Sequence, residues 1–362
     1  MKITKVETIW ISIPFDHGGP ASGFGGKVWR DLGTLLVKVE TDEGITGWGE
    51  AFGYNAIPST RAAIESMVAP LVIGRDPLAI APLMTELQKT LHIFGRYGQT
   101  IYALSGLDIA LWDIAAKAAG VPLRRLLGTG GDDPLPCYAS LLRYGDPAVV
   151  AERSAAAAAE GYRHIKLHET TVEAVAAARD AVGPDVEIMV DTNCPWTLQE
   201  AIDMARRLEP QRLYWLEEPI WPPENFAGLA ELSRRAPMPI AAGENACTAW
   251  QFQAILEARA VAFAQPSVTK VGGITEFRKV QALCETHNTA CAPHSPYFGP
   301  GFLATMHLVA GTNTPVERFF GNLEASLYGD LVDTRNGQLR LPEVPGVGPE
   351  PDPDVIARYK VQ

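Results

Sequence analysis

Three acids, Asp191, Glu217 and Glu244, end the short apolar runs VEIMVD, LYWLE and MPIAAGE, at separations of 26 and 27 residues. Each interval is about the length of one strand plus its crossover helix. On a parallel sheet the three carboxylates would therefore leave neighbouring strands and meet at one mouth. Three carboxylates at hydrogen-bonding distance repel one another unless a cation neutralises them. The donor set is hard oxygen, with no Cys among the three and no His between them, and this favours Mg2+ over zinc. A single acid at a strand end is more often a helix cap or the partner of a Lys or Arg. Three in register point to a metal.

Lys166, in RHIKLH, lies one unit before this trio, and His294, in TACAPHS, lies beyond it. Near a divalent cation an ammonium is disfavoured, so the pKa of Lys166 would fall and its neutral amine could act as a base. A histidine already titrates close to neutrality. A base on each face of a metal-bound carboxylate is what is needed to move a proton off the adjacent carbon and stabilise the resulting enediolate. The plainer readings are a salt bridge from Lys166 to the acids and a satisfied core histidine at 294.

These residues need elements to hold them. From about residue 134, eight apolar runs alternate with amphipathic stretches: LPCYAS, RHIKLH, VEIMVDTN, LYWLEEP, MPIAAGEN, AVAFAQPS, TACAPHS and TPVERFF. Helices are expected over 147–160, 172–182, 198–208, 224–235, 248–258, 273–287 and 300–311. Such alternation implies an α/β fold with a parallel sheet closed into a (β/α)7β or (β/α)8 barrel of the TIM type. An open doubly wound sheet is the alternative, but no G-x-G-x-x-G follows the first strand. Residues 1–125 read differently. Two β-branched runs flank the turn Asp42-Glu43-Gly44, and helices are expected over 59–73, 78–90 and 99–118, an α+β capping domain. The Gly- and Pro-rich stretch 14–26 reads as a loop or lid. The barrel is expected over 126–320, with 321–362 returning to the capping domain.

The formal net charge of −11 excludes nucleic acid and anionic membrane surfaces as natural partners, leaving a small anionic substrate to be drawn by a local cation. The five Cys form no C-x-x-C pair, and their odd number argues for reduced thiols and a cytoplasmic enzyme. No apolar run approaches the length needed to span a bilayer.

The segments ALSGLDIALWDIAAKAAGVPLRRLLG (103–128), VDTN, WLEEP, AAGEN, VTKVGGITE (268–276) and PGVG (345–348) together carry a specific likeness. Over essentially its full length the chain resembles the enolase superfamily, in particular its mandelate racemase / muconate lactonizing enzyme group. The resemblance implies one Mg2+ per subunit on Asp191, Glu217 and Glu244, and a homo-oligomer, from dimer to octamer. It also implies mobile loops at 14–26 and 51–57 that close over a small-molecule carboxylate. Phe24 and Tyr54 become substrate contacts by loop position, with Phe15, His17 and Phe52 beside them, and Asn193, Ser140, Ser267 and Lys270 by their places near strand ends. Three departures from the family pattern matter. Its Lys-x-Lys is here Lys166-Leu167-His168, which leaves either residue as the base. Its sixth-strand Asp or Lys is here Ser267, so nothing anionic is expected to orient His294. The acid that hydrogen-bonds a substrate carboxylate maps to Glu317, with Glu324 as the weaker match. Trp112 and Asp113 are expected in interdomain packing and Trp196 over the core. The implied reaction is dehydration of a sugar acid, with His294 as general acid; the alternative is a racemase, epimerase or cycloisomerase.

Overall fold

The computed structural model describes residues 1–20, 22–24, 27–131, 134–334 and 336–362, with Phe24 described by its backbone alone. Three strands build the N-terminal sheet: β1 (Ile3–Asp16), β2 (Asp31–Thr41) and β3 (Thr46–Ala51). They pair antiparallel as a meander, with Gly44 taking a φ of 80° in the turn between β2 and β3. Ile9, Ile11 and Ile13 alternate along β1 and bury, which is the period a half-covered strand requires. β1 runs to Asp16, three residues into the stretch expected to be loop from residue 14, because Phe15 is buried and pairs with Leu323.

The Gln99–Ala118 helix lies against this sheet. Its approach is close enough that a Cβ on Gly49 would strike the carbonyl oxygen of Gly106, so glycine is required at that crossing.

Eight parallel strands form the second sheet: β4 (Leu135–Ser140), β5 (His164–Leu167), β6 (Glu187–Asp191), β7 (Trp215–Glu217), β8 (Ile240–Ala242), β9 (Phe263–Ala264), β10 (Ala290–Cys291) and β11 (Val316–Phe319). They neighbour one another in chain order, and β11 returns to pair with β4, curling the sheet into a barrel. Among the described residues no ladder joins β10 to β11, and no crossover helix follows β11, so the form is (β/α)7β. All eight expected strands are present, with β7 to β10 reduced to two or three residues. The first four helices between them begin with side-chain caps from Asp146, Thr171, Thr197 and Asn225, and Thr197 with Glu200 completes a capping box. No described helix is long and apolar enough to cross a membrane.

Buried acids of the N-terminal sheet and helix are satisfied by barrel backbone. Glu50 on β3 accepts the Gly301 N–H at 2.9 Å, at the start of the Pro300–Leu308 helix. Asp108 accepts the Thr275 N–H at 2.9 Å and its hydroxyl at 2.5 Å, in the first turn of the Gly273–Thr286 helix. Both carboxylates use the unsatisfied donors and positive end of a helix N-terminus. Burial nonetheless pushes Glu50 up to about 8 and Asp108 to about 7. Asp113 bonds the N–H groups of Trp48 and Val347 at 2.9 and 2.8 Å, joining three segments, and Trp112 donates to Thr275. The C-terminal segment runs back along both layers: Asn322–Leu323 pairs with β1, Gln338–Leu339 with β4, and Lys360 bridges to Ile11.

Candidate active site

β6, β7 and β8 deliver Asp191, Glu217 and Glu244 to the carboxyl mouth of the barrel. Asp191 and Glu217 sit at the last residues of their strands, and Glu244 lies two residues past the end of β8. One carboxylate oxygen from each lies within 4.8 Å of the other two. An octahedral Mg2+ with bonds of about 2.1 Å spaces its ligand oxygens by roughly 3 to 4 Å, so a slight contraction of this trio would close it on the ion. The backbone around the trio is unusual: Asn193, Cys194 and Glu218 take φ values of 54°, 57° and 45°. Such left-handed residues gather where a site over-determines its geometry.

The electrostatics are those of an incomplete ion cage. Burial raises Glu217 to about 8 despite Lys166, and the negative neighbour Asp191 adds to the shift. Burial, then Glu244 and Asp191, push Glu218 well above the carboxylate range, although Asn245 donates to both its oxygens at 2.9 and 3.1 Å. Burial opposes ionisation of Glu244 too, but His294 and Lys270 hold it well below the usual value. The buried charge is negative in excess, and the donors are all carboxylate oxygen. The residues present fit a hard divalent cation.

Lys166 is fully buried beneath the trio. Its Nζ lies 3.4 Å from Asp191, 3.1 Å from Glu217 and 2.7 Å from Glu317. Burial works against the ammonium, but Glu217 and Glu317 raise its pKa well above normal. His168, by contrast, is on the wall of a cavity of about 610 Å³ that opens over the trio. Its Nδ1 meets the Leu141 carbonyl at 2.5 Å, so Nδ1 must donate, and its Nε2 stands 3.3 Å from Asp191. Across the trio, His294 Nε2 stands 2.9 Å from Glu244 and 3.9 Å from Glu317. The expectation that nothing anionic would orient His294 therefore needs correcting, because Glu244 does so from the adjacent side.

The cavity wall also carries Tyr54, Asn193, Lys270 and Glu317. Asn193 bonds Asp191 through both its amides, at 2.9 and 3.0 Å. Lys270 lies 3.4 Å from Glu244 and over the Phe52 ring at 4.4 Å. Glu317 accepts from Ser140 at 2.8 Å and from the Ser295 N–H at 3.1 Å, whereas Glu324 pairs with Arg358 at an exposed edge. Ser140 and Ser267 are off the wall: their hydroxyls are turned onto Glu317 and the Tyr297 hydroxyl, and both residues are fully buried. Trp196 packs against the core. The side chain of Phe24 lies outside the described residues.

Sequence reasoning missed Arg143, Trp29 and Trp221 and gave no role to Glu218, a strand-end residue, although all four are on the same wall. Arg143 stands three residues beyond β4, past the strand-end position that was inspected. Glu218 follows a stronger candidate in the same WLEEP run. The two tryptophans sit in loops, where no period marks them.

The chain matches two family models, Mandelate racemase / muconate lactonizing enzyme, N-terminal domain, over residues 31–128, and Enolase C-terminal domain-like, over residues 148–355. It belongs to the mandelate racemase / muconate lactonizing enzyme family. Within this family it is 32% identical over 348 residues to arabinonate dehydratase of Saccharolobus solfataricus, covering 92% of each chain. It is 30% identical over 352 residues to D-galactarolactone cycloisomerase of Agrobacterium fabrum, covering 90% of this chain and 91% of that one. The crystal structure of L-talarate dehydratase from Polaromonas sp. JS666, complexed with Mg and L-glucarate, superposes with a TM-score of 0.86 at 28% identity, over 100% of this chain and 98% of that chain. The mandelate racemase / muconate lactonizing enzyme family thus includes relatives of both reaction classes expected from the sequence.

Proposed function

We propose that this protein dehydrates an acid sugar to a 2-keto-3-deoxy acid, with His168 as the base and His294 as the general acid. The observation that carries this is the pair of imidazoles on opposite flanks of the carboxylate trio, His168 beside Asp191 and His294 beside Glu244. His168 turns Nε2 inward, beside Asp191, because the Leu141 carbonyl holds Nδ1–H, so in the neutral ring Nε2 carries the lone pair that takes the proton from C2. Lys166, off the cavity wall and ringed by three acids, supplies fixed positive charge rather than a free amine. His294 gives its proton to the C3 hydroxyl as the C3–O bond breaks, water leaves, and the enol tautomerises to the ketone. Its Nδ1 has no hydrogen-bond partner, which suits a proton donor better than a strong base. Asp191, Glu217 and Glu244 would hold one Mg2+ per subunit, which when bound offsets the charge that builds on the substrate carboxylate. Glu317 orients that carboxylate.

The decisive experiment incubates the protein with Mg2+ and a set of C5 and C6 aldonates and aldarates, assaying for 2-keto-3-deoxy products. A silent set overturns the reading. The second reading, a racemase or cycloisomerase, draws support from the same two-sided placement of histidines and from the Agrobacterium relative. Exchange of the α-hydrogen with solvent deuterium, without elimination, would select it.

We also infer that residues 1–125 act as the capping domain, 126–320 as the barrel and 321–362 as the returning segment, supported by the pairing of the last segment with both sheets. The five free cysteines support a reducing, cytoplasmic setting. Exposed Ile93, Phe94 and Tyr97, near the exposed Trp250, support association of copies of the chain, which light scattering tests directly.

A further inference from the structure

Among the described residues Arg143 is the one guanidinium on the cavity wall; the wall's other cation, Lys270, is paired with Glu244, and Asp191, Glu218, Glu224, Glu244 and Glu317 outnumber the two. Its Nε donates to the His168 carbonyl at 2.6 Å. Its Nη2 reaches the Thr192 carbonyl and the Asn193 Oδ1, each at a long 3.4 Å. These contacts fix the plane of the guanidinium without neutralising it. Among the described residues no carboxylate pairs with Arg143 and no acceptor meets its Nη1, so the cation faces the cavity without a counter-charge. A chain of hydrogen bonds, Asp191 to Asn193 to Arg143, separates this charge from the metal trio by one amide side chain. That spacing leaves room for a substrate with its carboxylate over the trio to extend its far end to Arg143.

We propose that Arg143 is a specificity residue that binds a second anionic group at the distal end of the substrate, so that the preferred substrates are aldarates rather than aldonates. This rests on the acid-sugar reading above and narrows its substrate class. A planar guanidinium already held on one edge loses little freedom when a carboxylate docks on its other edge, and charge-assisted bonds of this kind are strong. An aldonate offers only a neutral hydroxyl there. It leaves the cation without a counter-charge on the cavity wall.

The test compares matched aldarate and aldonate pairs, of the same length and configuration, on the wild type, Arg143→Met and Arg143→Lys, all with Mg2+. The wild type should favour the aldarate, and in Arg143→Met the ratio of kcat/KM for aldarate over aldonate should fall about 100-fold, carried mostly by KM. Arg143→Lys should recover part of the ratio, since it restores charge without the fork. A role confined to bracing the His168 carbonyl predicts that both substrates lose activity by the same factor, and that result would overturn the proposal. So would a wild type that favours aldonates while turning them over normally; this leaves the dehydratase reading standing. If no acid sugar turns over, calorimetric titration of galactarate against galactonate still decides. Equal affinity for the two, unchanged by Arg143→Met, rejects the subsite, and a selective loss of galactarate binding supports it.

Discussion

The mouth of the barrel and the seam between the two layers both bury several carboxylates, and they handle them in opposite ways. At the seam, Glu50, Asp108 and Asp113 are each met by backbone N–H groups at about the ideal distance, two of them at helix starts. Those donors cannot leave, so the seam is complete as folded. At the mouth, Asp191, Glu217, Glu244 and Glu317 share two buried ammoniums, Lys166 and Lys270, and two imidazoles, and negative charge is left over. Where the counter-charge is built into the backbone, an acid is structural. Where it is left short, the acid waits for something mobile.

That contrast can be broken in several places. The largest effect is expected at the trio itself: Asp191→Asn or Glu244→Gln should lower kcat/KM by about 1,000-fold or more and abolish the rise in thermal stability on adding Mg2+. An active variant whose melting still responds to Mg2+ would remove the trio from the chemistry. Next, Lys166→Met strips the mouth of the ammonium that meets Asp191, Glu217 and Glu317. In EDTA this should destabilise the fold by about 3–5 kcal/mol, the usual cost of orphaning buried charge. Because a divalent ion can substitute for the lost charge, the deficit should shrink in Mg2+; an equal deficit with and without the ion would contradict the ion-cage picture. A smaller effect is expected for the wild type, whose unfolding free energy should rise by about 2.7 kcal/mol when free Mg2+ reaches 100 times its Kd. Differential scanning fluorimetry across a Mg2+ series measures this, and a flat series argues against binding.

The seam supplies the mildest test. Folded protein keeps the Glu50 proton up to about pH 8, whereas an unfolded chain releases it near 4.5. Between those values the folded form binds more protons, so stability falls as pH rises and the decline ends near pH 8. Glu50→Gln should flatten that part of the Tm–pH profile while leaving the Mg2+ response intact. An unchanged slope would mean that Glu50 is not the group responsible.

Much of this was legible in the chain because period and spacing are enforced by geometry. LPCYAS matches β4 residue for residue, and the Gln99–Ala118 helix has the expected ends. The trio could be read because one strand-plus-helix unit has a nearly fixed length. What escaped was whatever depends on side chains turning across the mouth. Ser140 and Ser267 occupy the expected places, yet their hydroxyls serve Glu317 and Tyr297 instead of the cavity. The choice between Lys166 and His168 was invisible for the same reason. Residues two apart on a short strand and its following loop do not keep to simple alternation, and only the Leu141 carbonyl fixes which ring nitrogen of His168 faces inward. Arg143 was overlooked because a loop three residues past a strand has no period to betray it.

The Glu50 contact reaches further than the seam. Gly301 opens the helix that follows the His294 loop, so a residue of the N-terminal sheet secures the far end of the segment carrying the proposed acid. A side chain on Gly299 would collide with that carboxylate, and one on Gly301 with the Thr269 methyl beside it. The two layers are therefore not interchangeable modules. A chimera that borrows the cap of a relative should keep the placement of His294 only if the donor brings a glutamate at this position.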